Sequence, residues 1–144
     1  MKCPMCAGEL KSVNYESDTM VDECSLCKGI WLDAGELEKI QTKVQKNHKE
    51  KYSQFESYTE IGARMSSQMG GKKINCPKCD KTMIKKEFQP TSTVIVDLCN
   101  GCKGLWLDAG ELQQLEVFLE EHNLRHPKES ANGLLSRFVK LFFK

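Results

Sequence analysis

The feature that most constrains this chain is a cysteine pattern written twice. Cys3-Pro4-Met5-Cys6 returns as Cys76-Pro77-Lys78-Cys79, and Cys24-Ser25-Leu26-Cys27 returns as Cys99-Asn100-Gly101-Cys102. From there CKGIWLDAGEL (27–37) matches CKGLWLDAGEL (102–112), differing only at Ile30 and Leu105. A repeat of this kind settles the organisation before any residue is read alone. The first pair of cysteines recurs 73 positions on and the second pair 75 positions on. The second copy therefore holds two extra residues between its pairs, and the intact flanking motifs confine them to a loop or hairpin tip.

The pairs are separated by 17 residues in one copy and 19 in the other. That spacing fits tetrahedral zinc with four cysteine ligands: Cys3, Cys6, Cys24 and Cys27 for one ion, Cys76, Cys79, Cys99 and Cys102 for the other. Two residues between cysteines let one tight turn aim both sulfurs at one metal, while turn amides soften the thiolate charge. Two such knuckles facing each other across a hairpin complete the tetrahedron. Gly8, Gly29 and Gly104 follow a second cysteine by two positions, where a left-handed φ is expected. Lys81 takes that place in the remaining knuckle. Lys28 and Lys103 sit beside a ligand and are expected to offset its charge. Four thiolates close the metal's shell, whereas catalytic zinc keeps a position open for water. Dithiol redox chemistry would call for a surrounding βαβ pattern, which is missing. The expectation is two structural Zn²⁺ per chain and no enzyme. Each ribbon of about forty residues is too small for a sizeable core, so each is expected to fold around its own ion.

Charge and hydropathy narrow the class further. Lys and Arg number 21 against 20 Asp and Glu, a formal net charge of +1. Eight thiolates around two divalent ions lower that to about −3, which excludes a strongly basic, histone-like binder. No apolar run approaches the length of a membrane span, and the first ten residues lack an apolar h-region. The expectation is a cytoplasmic protein in which cysteines hold metal and do not pair as disulfides.

Between its CxxC pairs each copy reads as a hairpin: Leu10 to Tyr15 with Thr19 to Glu23, then Thr82 to Phe88 with Thr93 to Leu98. Asp33 and Asp108 read as helix N-caps, with Glu36 and Glu111 at the third helical position completing capping boxes. The same carboxylate pairs also admit a catalytic reading, for which capping is the simpler account. Leu37, Ile40 and Val44, and Leu112, Leu115, Phe118 and Leu119, carry helical spacing. Trp31 and Trp106 read as core residues packing the helix start onto the hairpin; the alternative is an aromatic binding platform. His48, His122 and His126 lie far from the cysteines in sequence and read as surface residues. The implied fold is a small zinc-bound α+β chain of two tandem zinc ribbons, each followed by a helix, plus a C-terminal amphipathic helix. Its segments are 1–48 for the first ribbon, 49–73 for a polar helix or linker, 74–124 for the second ribbon and 125–144 for the tail.

The pattern CPxC…CxxCxGxWLDxGEL resembles the small bacterial zinc-ribbon family named after the transcription factor IIB-type zinc ribbon. The resemblance covers Cys3 to about Ile40 and Cys76 to about Leu115, with WLDAGEL its most specific segment. It implies zinc-bound ribbons and, through the family's name, a link to transcription or nucleic acid. Lys81 in place of glycine departs from the pattern and leaves the ligands intact.

Two further features bear on partners. Lys39, Lys43, Lys46 and Lys49 share one helix face, and Lys51, Lys72, Lys73, Lys78, Lys81, Lys85 and Lys86 extend a basic middle. These lysines can track nucleic-acid phosphates or simply form a solvated face. In the tail, Leu135, Phe138, Val139 and Phe142 fall opposite Arg137, Lys140 and Lys144. Docking on the ribbons, self-association or a protein partner suits residues 134–144, since eleven residues make a weak membrane anchor. Function divides accordingly between a nucleic-acid or transcription-associated module and a protein-interaction adaptor or chaperone-like module. Co-chaperone zinc modules also use paired CxxC, but their CxxCxGxG is only half present here.

Overall fold

Between its CxxC pairs each copy folds as a hairpin, because apolar residues there recur on one side of the chain. A computed structural model describes residues 1–15, 19–43, 72–87, 94–116 and 118. In the first copy β1 (Leu10–Tyr15) pairs antiparallel with β2 (Thr19–Cys24), setting Val13 opposite Val21. The expected strands are found there. Beyond β2 comes β3 (Ile30–Leu32), then α1 (Glu36–Lys43). In the second copy β4 (Ile84–Glu87) pairs with β5 (Ile95–Leu98), and β6 (Leu105–Leu107) follows. β4 starts later than expected because Thr82 makes only an isolated bridge to Asn75. Ser12 faces Asp22 in one hairpin and Lys85 faces Asp97 in the other, at equivalent positions. The two extra residues of the second copy therefore fall at the hairpin tip, between Glu87 and Ile95.

β3 and β6 were not legible as strands; the sequence reads as a lead into the helices. They pair with each other, antiparallel, with Ile30 opposite Leu107, Trp31 opposite Trp106 and Leu32 opposite Leu105. The two copies thus merge into one six-stranded sheet of order β1-β2-β3-β6-β5-β4, with a pseudo-two-fold axis at the β3–β6 seam. Three-residue strands hold because each is flanked on both sides by a partner strand.

Side-chain alternation along β3 and β6 separates two cores. Ile30, Leu32, Leu105 and Leu107 face one side, where they meet Leu37 and Ile40 of α1 and Leu112 and Leu115 of the helical residues 111–116. Trp31 and Trp106 face the other side and pack with every cysteine but Cys79, and with Leu10, Ile74 and Met83. Tyr15 of the first copy donates its hydroxyl to Glu116 of the second at 2.9 Å, a further tie between the halves.

Both tryptophans are fully buried, which settles the platform reading against them. Each inserts over the other copy's glycine. A Cβ at Gly29 would lie 2.2 Å from Trp106 Cζ2, and one at Gly104 would lie 2.2 Å from Trp31 Cζ2. These glycines are required by the close approach of a ring, and neither carries the left-handed φ expected of it.

The helix starts differ from expectation. Glu36 N–H donates to Asp33 C=O (3.1 Å), closing a turn whose third residue, Gly35, has φ +87°. The first helical bond is Lys39 N–H to Gly35 C=O (3.2 Å), so Gly35 and not Asp33 occupies the cap position. Glu111, Asp108, Gly110 (φ +85°) and Gln114 repeat the arrangement. The glutamate half of the expected box is present: Asp33 N–H donates to Glu36 Oε2 (2.8 Å) and Asp108 N–H to Glu111 Oε2 (2.7 Å). The aspartate half is redirected, because Asp33 Oδ1 and Asp108 Oδ1 accept Trp31 Nε1–H and Trp106 Nε1–H, each at 3.1 Å.

Among the described residues no helix is long and apolar enough to cross a membrane. The expected helix run to His48, nearly all of segment 49–73, the three histidines and the tail 125–144 lie outside the described residues.

Gly104→Ala forces the Trp31 ring out of the seam. Overpacking of this kind costs about 1–3 kcal/mol, and Trp31→Ala, which empties the site, about 3–5 kcal/mol. Both are read as a fall in melting temperature with a red shift in tryptophan emission. Unchanged stability in Gly104→Ala would mean the seam is not packed as described.

Candidate metal centres

Each of the four knuckles uses the same hydrogen bonds. The first cysteine's N–H donates to the carbonyl five residues on: Cys3 to Gly8 (2.6 Å), Cys24 to Gly29 (2.9 Å), Cys76 to Lys81 (2.8 Å) and Cys99 to Gly104 (3.0 Å). The residue after the second cysteine donates back to the first cysteine's carbonyl, from Ala7, Lys28, Asp80 and Lys103 at 2.9–3.1 Å. Closing that loop demands a left-handed φ, found at Ala7 (61°), Lys28 (62°), Asp80 (63°) and Lys103 (65°). The strained position is thus one residue earlier than expected, and no glycine fills it. Lys81 is accommodated because its own φ is ordinary. A left-handed non-glycine residue costs roughly 1–2 kcal/mol, so the four knuckles need an external constraint to persist. Only position marks these four residues in the sequence, which is why residue type gave no warning.

The knuckles face each other in pairs. Cys3 Sγ lies 3.6 Å from Cys27 Sγ and Cys6 Sγ 3.4 Å from Cys24 Sγ; in the second copy Cys76–Cys102 is 3.5 Å and Cys79–Cys99 is 3.3 Å. Within each group of four, all sulfurs lie inside 4.8 Å of one another. A tetrahedron with Zn–S bonds of about 2.3 Å has edges of about 3.8 Å. All eight cysteines are free thiols, brought together in the two predicted sets and with no mixing between copies. The two clusters fit two zinc ions.

Electrostatics explains why a cation belongs there. Met5 N–H reaches Cys3 Sγ (3.4 Å), Cys27 N–H reaches Cys24 Sγ (3.5 Å), and Lys78 and Cys79 N–H reach Cys76 Sγ (3.3 and 3.4 Å). Burial raises Cys99, yet the Cys102 N–H and the Cys79 thiol outweigh it and bring its pKa down to about 7. Cys24 is lowered in the same way, against burial, by the N–H groups of Cys27 and Leu26. Their neighbours move the other way. Cys76 is pushed up to about 12 and Cys6 and Cys102 are raised, by burial first; Cys27 is raised first by its hydrogen bond with Cys3. With Cys24 and Cys99 lowered and Cys6, Cys27, Cys76 and Cys102 raised, gathering four thiolates in one cluster calls for a divalent ion. Lys28 does not serve as the expected counter-charge, since its ammonium pairs with Glu23 at 3.5 Å.

A family model described as a transcription factor zinc-finger, the IIB-type zinc ribbon, matches residues 2–43 and 75–116, more than half of the chain in two tandem copies. The chain belongs to this family. No curated protein and no solved structure matches it. In this IIB-type zinc ribbon pair the matched segments run to the end of α1 and of the helical residues 111–116, so they enclose both metal clusters and the seam. The shared sheet also revises the expectation that each ribbon folds alone around its ion.

Zinc-loaded protein should contain two zinc ions per chain by elemental analysis; a folded, metal-free, disulfide-bonded protein would contradict the assignment. Cys27→Ser should lose one ion and lower ellipticity in both halves, in one transition, because β3 supports β6. Glu111 supplies a pH test. Burial, then the neighbouring Asp108 charge, lift its pKa to about 8 from an ordinary 4.5. Its protonated form is favoured in the fold, so stability declines as pH rises from about 4.5 towards 8 and levels off above. Glu111→Gln keeps an acceptor without the charge. Its melting-temperature advantage over the parent should be small at pH 4.5 and grow by several degrees by pH 8. A constant difference across that range would exclude the linkage.

Proposed function

We propose that this chain is a non-enzymatic zinc-ribbon module that associates with nucleic acid or with a transcription assembly. Membership of the transcription factor zinc-finger family carries the reading. Two observations support it. Four cysteine ligands per cluster leave no coordination position for a reacting water. The second ribbon also presents exposed lysines around its first knuckle: Lys72, Lys73 and Lys81. Lys78 and Lys85 belong to the same stretch but are engaged, with Asp33 and Asp97, each at 3.0 Å. The equivalent residues of the first copy, Met5, Gly8, Ser12 and Val13, carry no charge. A phosphate backbone is the natural counterpart of such a stretch, and its recognition is salt-dependent. Lys39 is exposed on α1, which ends at Lys43; Lys46 and Lys49 of the expected stripe lie outside the described residues.

The reading is tested by fluorescence anisotropy with mixed-sequence DNA and RNA between 50 and 200 mM salt. Three phosphate contacts give a weakening on the order of 50-fold across that range. Replacing Lys72, Lys73 and Lys81 by Glu should abolish binding while zinc content stays unchanged. No binding by the parent at the lowest salt would sink this reading. It would favour the competing one, a protein-interaction module working through the amphipathic residues 134–144.

A further inference from the structure

The duplication is not symmetric at its metal clusters. In the first, Cys3, Cys24 and Cys27 are buried and Cys6 is half-buried. In the second, Cys76 and Cys99 are buried, Cys102 is half-buried and Cys79 is exposed, the one exposed thiol of the eight. A reciprocal exchange of two residues accompanies this difference. A Cβ at Gly8 would lie 3.0 Å from Leu26 Cδ1 and 3.0 Å from Cys24 Sγ. The branched Leu26 side chain therefore lies over Gly8, beside the first cluster. In the second copy Lys81 stands where Gly8 was, and Gly101 where Leu26 was. A Cβ at Gly101 would lie 2.7 Å from Lys81 Cδ and 3.0 Å from Cys79 Sγ. A stiff hydrocarbon, itself 71% exposed, lies beside one cluster; a flexible stem with a hydrated ammonium at its tip lies beside the other.

Cover governs which thiolate meets a reagent from solution. Metal coordination keeps cysteines deprotonated, and the thiolate is the nucleophilic form. We propose that the second cluster is a modification site for peroxides, with Cys79 as the attacked residue, and that the first cluster is closed to them. The Cys79 thiolate takes the terminal peroxide oxygen, and the O–O bond breaks. The departing alkoxide or hydroxide takes a proton from water, and a sulfenic acid remains. Cys99, whose Sγ stands 3.3 Å from that of Cys79, displaces hydroxide from the sulfenic sulfur and forms the S–S bond. Two electrons pass from the two sulfurs to the peroxide. The cluster is left with the two thiolates of Cys76 and Cys102 and no longer holds its ion. The first cluster's Cys6 and Cys24 lie equally near each other, at 3.4 Å, so proximity of thiols does not decide the order.

The test uses the full-length, zinc-loaded protein and limiting hydrogen peroxide. Samples are quenched early with an alkylating agent and mapped by mass spectrometry, with released zinc followed by a chromogenic chelator. Cys79 and Cys99 should be oxidised about tenfold faster than any cysteine of the first cluster, with zinc release keeping step. Equal or faster oxidation in the first cluster overturns the proposal. The paired change Lys81→Gly with Gly101→Leu transplants the first copy's cover and should slow oxidation of Cys79 to the first-cluster rate. Should that variant lose its zinc, Leu26→Gly uncovers the first cluster instead and should speed oxidation of Cys6 and Cys24. An unchanged rate in whichever variant retains zinc overturns the role given to the cover.

Discussion

The rest of the structure depends on the reciprocal contact in which each tryptophan rests over the other copy's glycine at the β3–β6 seam. Neither ribbon alone has enough apolar surface to hold a fold. Burying two indoles between the copies, together with the leucines and isoleucines on the opposite face, turns two marginal hairpins into one sheet with a core on each side. The glycines make this possible by bringing a backbone within ring distance. The aspartates complete it by accepting the indole N–H groups, which would otherwise be buried without partners. The helix start is a consequence of the same contact: because Asp33 and Asp108 serve the tryptophans, a glycine turn must open each helix.

Metal and backbone strain are coupled through the knuckles. Four residues with side chains adopt left-handed φ to let each turn close on itself. Such strain persists where something stronger over-determines the geometry, and structural zinc supplies it. The amide hydrogen bonds to Cys24 and Cys99 lower the cost of gathering negative charge, while burial and neighbouring thiols raise Cys6, Cys27, Cys76 and Cys102 and oppose it in the absence of metal.

The metal ligands were legible because a repeated spacing constrains eight residues at once, and both hairpins were legible from β-rich runs around turn residues. What escaped was non-local. Ile30-Trp31-Leu32 is too short to announce a strand, and its partner lies 75 residues away. Gly29 and Gly104 looked like turn residues because glycine is the usual answer to a left-handed φ; the ring that needs the space belongs to the other copy. Asp33 matched a capping box by spacing, and only the position of Trp31 Nε1 shows where its carboxylate is spent. Lys78–Asp33 and Tyr15–Glu116 join residues whose proximity follows from the seam and from nothing local.

Lys78 and Lys85 have a consequence for how such a chain changes over time. Both lie in the second copy, yet one answers a carboxylate of the first half, Asp33, and the other a buried carboxylate of its own, Asp97. Their counterparts in the first copy are Met5 and Ser12. A duplicated gene of two interchangeable halves can lose either one, but these halves have divided the cationic duties unequally. Replacing the second repeat by a copy of the first would remove both ion pairs, so at these positions the halves are not interchangeable.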